Sequence, residues 1–123
     1  MAVQIPNNVL ELILHASHSS YPNEFGAVLR GEGSKIKEIL LLPGTLQGHD
    51  SVLYRMNMLP MASKGIGMVH SHPSGSNRPS EADLQMFSRY GNVNLIIKYP
   101  YQSVLDVAAY DSEGNRLEIT IIE

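Results

Sequence analysis

The sequence contains no cysteine. That one absence excludes disulfide bonds, cysteine-built zinc sites, iron–sulfur clusters and a cysteine nucleophile. Any metal site must be made from His, Asp and Glu. Positive charge is also scarce. Nine Lys and Arg face twelve Asp and Glu, for a net charge of −3, the reverse of what a sequence-independent nucleic-acid binder needs. Long apolar runs are missing: stretches such as Ile39 to Leu42 fall far short of the ~20 residues of a bilayer span. Met1 to Ile5 lacks the basic region and apolar stretch of a signal peptide. The expectation is a cytoplasmic protein with no nucleic-acid or membrane partner. The chain also lacks repeats, low-complexity tracts, a Gly-rich phosphate loop, a His-Glu-x-x-His helix and the Pro-Cys-x-x-Cys of zinc deaminases.

What is present is a 123-residue chain, 43% hydrophobic and 17% charged, enough for one domain over residues 1–123 with one core. A helix is expected from Pro6 to Ser19, with Val9, Leu10, Ile13 and Leu14 as its apolar stripe. Strands follow at Phe25 to Gly31 and Ile36 to Leu42, turned by Gly31-Glu32-Gly33-Ser34, then at Ser51 to Met58 and Ile66 to His70. A Pro/Gly/Ser loop from Pro73 to Pro79 leads into a helix from Ser80 to Tyr90, stopped by Gly91. Val93 to Tyr99, Val104 to Tyr110 and Leu117 to Ile122 read as closing strands. Together they predict an α/β fold, one curved mixed β-sheet flanked by helices.

The stretch His70-Ser71-His72-Pro73 followed by Ser80-Glu81-Ala82-Asp83 carries the chemistry. On an extended strand, residues 70 and 72 point to the same face, and their rings can converge on one ion. A His-x-His pair alone describes two unrelated loop histidines equally well. Ser80 and Asp83 alone describe a helix capping box. However, Asp83 shares a stripe with Met86, Phe87 and Tyr90, so its carboxylate should face inward, where burial is costly without a partner or a metal. Two imidazoles and a carboxylate make a three-ligand zinc site with a fourth position open, as catalytic zinc sites have. Such a site still needs a general base. Glu24, opening the apolar run Phe25 to Leu29, is the candidate; an ordinary solvated glutamate at a helix–strand junction is the alternative.

Taken together, His-x-His-Pro, a six-residue spacer, Ser-x-x-Asp and an upstream glutamate resemble the signature of the JAMM metalloproteases, the active MPN-plus domains. Most of the chain is similar to their compact archaeal and bacterial members. The resemblance implies a single-domain MPN/JAMM fold of the cytidine-deaminase-like type. It implies one Zn²⁺ per chain held by His70, His72 and Asp83. It implies Glu24 as the general acid/base acting on the Zn-activated water, and Ser80 as a hydrogen-bond donor to the oxyanion. The implied activity is that of a metalloprotease or isopeptidase, cutting at the C-terminus of a ubiquitin-like modifier. The alternatives are release of an amino acid from a sulfur-carrier protein, or a non-catalytic MPN-type scaffold. Inactive relatives usually lack metal ligands that are present here. Larger deubiquitinating relatives carry insertions, one with a second, cysteine-containing zinc site, which a chain without cysteine cannot build.

An extended substrate tail could add as a strand to an exposed sheet edge, with Ser51 to Met58 as the candidate. Glu11, His15 and His18 read as a solvated helix face, and Arg78 as an exposed loop residue. His49 has no evident partner. Met56, Met58, Met61 and Met68 suit core filling more than a promiscuous surface.

Overall fold

The structure is a computed structural model; it describes residues 2–41 and 65–123. Its elements are β1 (Ala2–Pro6), α1 (Asn7–Ser20), β2 (Gly26–Glu32), β3 (Lys35–Leu41), β4 (Gly67–His72), α2 (Glu81–Tyr90), β5 (Asn94–Lys98), β6 (Val107–Tyr110) and β7 (Arg116–Ile122), with a 3-10 turn at Val104–Asp106. The strands form one mixed sheet in the order β1-β3-β2-β4-β5-β6-β7. Its curvature carries to closure. β1 pairs in parallel with both β3 and β7 and so seals a barrel.

Side-chain alternation splits the apolar residues between two faces. Ala27, Leu29, Val69, Leu95 and Ile97 point one way and pack with Val9, Leu10 and Ile13 of α1. Val28, Met68, Ile96 and Ala108 point the other way and pack with Met86, Phe87 and Tyr90 of α2. Each Val, Leu, Ile, Met or Phe among them, fully buried, stabilises the fold by roughly 1.5–3 kcal/mol relative to exposure. Met68 therefore fills core, as its type suggests.

Three local differences from the sequence expectation have physical causes. The first helix begins at Asn7, because Pro6 has extended backbone (φ −62°, ψ 142°) and closes β1. A proline φ suits both a strand end and a helix entry. β1 itself escapes periodicity because only Val3 and Ile5 face inward, and its partner β7 lies at the far end of the chain. The expected strand from Val104 is extended only from Val107. Before it, the Leu105 N–H donates to Ser103 Oγ (3.2 Å) and the Gln102 N–H to Asp106 Oδ2 (2.8 Å); these local bonds compete with the sheet ladder.

α2 stops at Gly91, where φ is 141° and an added Cβ would lie 2.2 Å from the Ile66 carbonyl oxygen. The expected strand Ser51 to Met58, together with His49 and Met61, lies outside the described residues. Each described strand has two neighbours, so none of them offers a wholly free edge. No helix among the described residues is long and apolar enough to cross a membrane.

Candidate metal centre

β4 runs through the middle of the sheet, between β2 and β5. Met68 belongs to the α2 side and Val69 to the α1 side. Alternation therefore sends His70 and His72 toward α2, and Ser71 the other way. On α2 the expected inward stripe is realised: Asp83, Met86, Phe87 and Tyr90 are all buried. Asp83 lies one turn before Phe87 and faces the two histidines.

The three side chains converge. The two imidazole Nε2 atoms are 3.2 Å apart. His70 Nε2 lies 2.9 Å from Asp83 Oδ1, and His72 Nε2 lies 3.3 Å from Asp83 Oδ2. Donors held at about 2.0–2.1 Å around a tetrahedral zinc are about 3.3 Å from one another. The Nε2–Nε2 and Nε2–Oδ1 separations of 3.2 and 2.9 Å are near the edges of that polyhedron, and one donor atom from each of the three residues lies within 4.8 Å of the others. Nitrogen and carboxylate donors also suit zinc better than the all-oxygen cages of calcium or magnesium. His70 and Asp83 are fully buried and His72 is 13% exposed, so the group opens to solvent on one side. Among the described residues no other set of three or more metal-ligating side chains comes together.

Neighbouring bonds orient this group. Asp83 Oδ2 accepts the Ser80 N–H at 2.9 Å, while the Asp83 N–H donates to Ser80 Oγ at 3.1 Å. The capping box and the inward carboxylate are thus one arrangement, with Oδ1 left facing His70. The Ser76 carbonyl lies 3.0 Å from His72 Nδ1; a carbonyl can only accept, so Nδ1 carries the proton and Nε2 presents its lone pair in the neutral ring. Burial pulls the His72 pKa down. The hydrogen bond and charge of Asp83, the Ser76 carbonyl and the charge of Glu24 outweigh it, and the pKa lies above 6.5. The surroundings of His72 therefore favour a positive charge, which a cation or a proton can supply.

Glu24 reaches the same place from the segment that leads into β2. The β2–β4 register pairs Gly26 with His70. The Ser71 N–H donates to the Phe25 carbonyl at 2.9 Å, which carries the pairing on and brings Glu24 opposite His72. Glu24 is 3% exposed, not a solvated glutamate, and its charge acts on His72. Ser80 is exposed at the α2 N-terminus. Its oxygen accepts the Asp83 N–H, and its hydroxyl proton remains available to donate.

With this geometry in hand, the relatives are informative. The family model described as "Prokaryotic homologs of the JAB domain" matches residues 6–108. The chain belongs to the prokaryotic JAB family. A Haloferax volcanii protein named "Probable metalloprotease" is 34% identical over 98% of this chain and 80% of its own length. Among solved structures, the one described as "JAMM: A Metalloprotease-like Zinc Site in the Proteasome and Signalosome" has a TM-score of 0.75 at 34% identity, covering 100% of both chains. A JAB1/MPN domain protein from Archaeoglobus fulgidus has a TM-score of 0.78 at 36% identity, covering 98% of this chain and 100% of its own. The chain is thus a compact prokaryotic JAMM domain protein. Family and geometry together point to a metal at His70, His72 and Asp83, and the donor set suits zinc.

The JAB fold leaves the remaining candidates at the surface: Glu11, His15, His18 and Arg78 are exposed. Two residues beside the candidate ligands carry no signal in the sequence. Ser71 is inside the motif but reads there as a spacer. Tyr101 is 1% exposed, and its hydroxyl lies 3.2 Å from the His72 carbonyl oxygen. No local pattern marks it, because the contact depends on how the turn after β5 folds back.

Proposed function

We propose that this protein is a zinc-dependent peptidase that hydrolyses a peptide or isopeptide bond at the C-terminal tail of a small ubiquitin-like or sulfur-carrier protein. The observation that carries the reading is the convergence of His70, His72 and Asp83 beside a buried glutamate, Glu24, with one side open to solvent. A zinc held there would supply Lewis acidity, polarising a carbonyl and acidifying a water.

The chain's own residues would do the rest. His70, His72 and Asp83 hold one zinc. Glu24 takes the proton from the attacking water and delivers it to the departing amine. Its position opposite His72 and its burial suit that task. The Ser80 hydroxyl, with its oxygen already engaged by the Asp83 N–H, donates to the developing oxyanion. A non-catalytic scaffold has no need of a buried carboxylate beside two inward histidines, an arrangement that costs stability when left without a cation.

Glu24→Gln decides the matter. It should retain zinc at the wild-type level and lose roughly 10²–10⁴-fold in turnover, the usual contribution of a general acid/base. Near-normal turnover would remove Glu24 from the chemistry. The assay offers isopeptide-linked conjugates, linear fusions and amino-acid adducts of ubiquitin-like proteins in parallel, and mass spectrometry identifies the bond cut. Release of a free amino acid would favour the sulfur-carrier substrate. Cleavage at a lysine side chain would favour the isopeptide.

A further inference from the structure

The α1 face of the sheet, opposite the metal centre, holds a tyrosine whose backbone is unusual. Tyr101 has φ 59°, in the left-handed region that a bulky side chain rarely enters. Its N–H donates to the Lys98 carbonyl at 3.0 Å, closing a turn directly after β5. Lys98 is the β5 partner of His72, so this turn folds the Tyr101 ring back beneath the end of the ligand strand. The ring is packed edge-on against Tyr99, Tyr21 and His18 at centroid distances of 5.7, 6.2 and 5.5 Å.

Two hydrogen bonds then hold neighbouring residues of β4. Phe25, next to Glu24, donates its N–H to Ser71 Oγ at 2.8 Å. Burial raises the Tyr101 pKa to about 12, and the Ser71 side chain, acting in the opposite sense, lies beside the Tyr101 hydroxyl. That hydroxyl donates to the His72 carbonyl at 3.2 Å. Ser71 and Tyr101 are both essentially inaccessible to solvent, so water cannot replace either bond. One bond holds the residue beside Glu24 and the other holds the backbone of His72, at adjacent positions of β4. Together they tie the two sides of the candidate site from behind.

We infer that Tyr101 and Ser71 form a positioning relay that fixes the His72 backbone, and with it the His72 ligand atom, against the segment bearing Glu24. The strained Tyr101 backbone is what brings its hydroxyl to that carbonyl. Neither residue is a candidate ligand; Tyr101 acts through the His72 backbone and Ser71 through the Phe25 backbone beside Glu24. The inference rests on the reading of His70, His72 and Asp83 as a metal centre. Residues that orient a ligand from outside are typically worth about 10–100-fold in metal affinity or activity.

The test measures zinc affinity by competition with a chromophoric chelator on the metal-stripped full chain, for wild type, Tyr101→Phe, Ser71→Ala and the double variant. Tyr101→Phe keeps the ring and removes only the hydroxyl. The relay predicts about 10-fold weaker zinc binding for each single variant. The double variant should bind zinc at least as weakly as the poorer single one. Cobalt substituted for zinc should show shifted visible absorption bands in both single variants, a change that loss of stability alone does not produce. Should Tyr101→Phe fold poorly when metal-free, Ser71→Ala decides the question by the same readouts. Zinc affinity within two-fold of wild type, with an unchanged cobalt spectrum, would overturn the relay and leave the metal centre standing. Failure of wild type to bind zinc or cobalt at all would overturn both.

Discussion

Asp83 uses its two oxygens differently. Oδ2 accepts the Ser80 N–H at the start of α2, and Oδ1 faces His70 at 2.9 Å. Asp83→Asn can retain the cap contact while losing the negative charge. Melting of the metal-free variant should therefore change little, by the ~0.3–1 kcal/mol that a charge at a helix N-terminus contributes. Zinc affinity should fall by more than the ~10–100-fold that an outer partner is worth. Chelator competition and thermal melts on one sample separate the two effects, and equal affinity in the variant would exclude Asp83 as a ligand. At this scale the sequence showed part of the site. Glu24, His70, His72, Ser80 and Asp83 stand out because chemistry demands particular residue types at particular spacings. Tyr101 does not, because its contact with the His72 carbonyl depends on a backbone angle and a turn, and neither leaves a mark in composition or period.

Elements held by neighbouring residues were the readable ones. α2 begins with a reciprocal cap at Ser80 and ends at Gly91, where neither the φ of 141° nor the 2.2 Å approach to Ile66 leaves room for a side chain. Gly91→Ala should cost about 1–3 kcal/mol of stability, measured by chemical denaturation; an unchanged midpoint would contradict that account. The hairpin between β6 and β7 is held by Asp111. Its Oδ1 accepts the Glu113 and Asn115 N–H groups, both at 2.9 Å. Those bonds, with Asn115 the larger contributor, lower the Asp111 pKa below 3.8. Because the folded value is depressed, the contribution is present above the unfolded pKa and lost as pH falls through the folded one. Stability should decline below about pH 4, and the decline should be shallower in Asp111→Asn. Parallel curves for the two proteins would contradict that role. β1 and the 3-10 turn at Val104–Asp106 escaped the sequence for opposite reasons. One is set by a partner at the other end of the chain, and the other by side-chain bonds that override an apolar pattern.

At the scale of the molecule, the barrel presents its two faces to different tasks. α1 covers the face where Tyr101 and the larger core cluster lie. α2 covers the face from which the candidate metal ligands project, so the candidate centre draws on β4, α2 and the lead into β2 at once. A cation bound there couples these elements and should stabilise the whole fold by mass action. At a zinc concentration 1,000-fold above its dissociation constant the gain is about 4 kcal/mol, a rise in melting temperature on the order of 10 °C for a domain of this size. Chelation should reverse it, and a melting temperature indifferent to chelator would contradict a tight site. The absence of cysteine confines that centre to nitrogen and oxygen donors. The central claim is that His70, His72 and Asp83 hold a catalytic zinc, and zinc content after exposure to the metal and gel filtration tests it most directly. The account predicts about one zinc per chain in wild type and almost none in His70→Ala. A wild-type chain that retains no zinc, or a His70→Ala chain that retains as much as wild type, would contradict it.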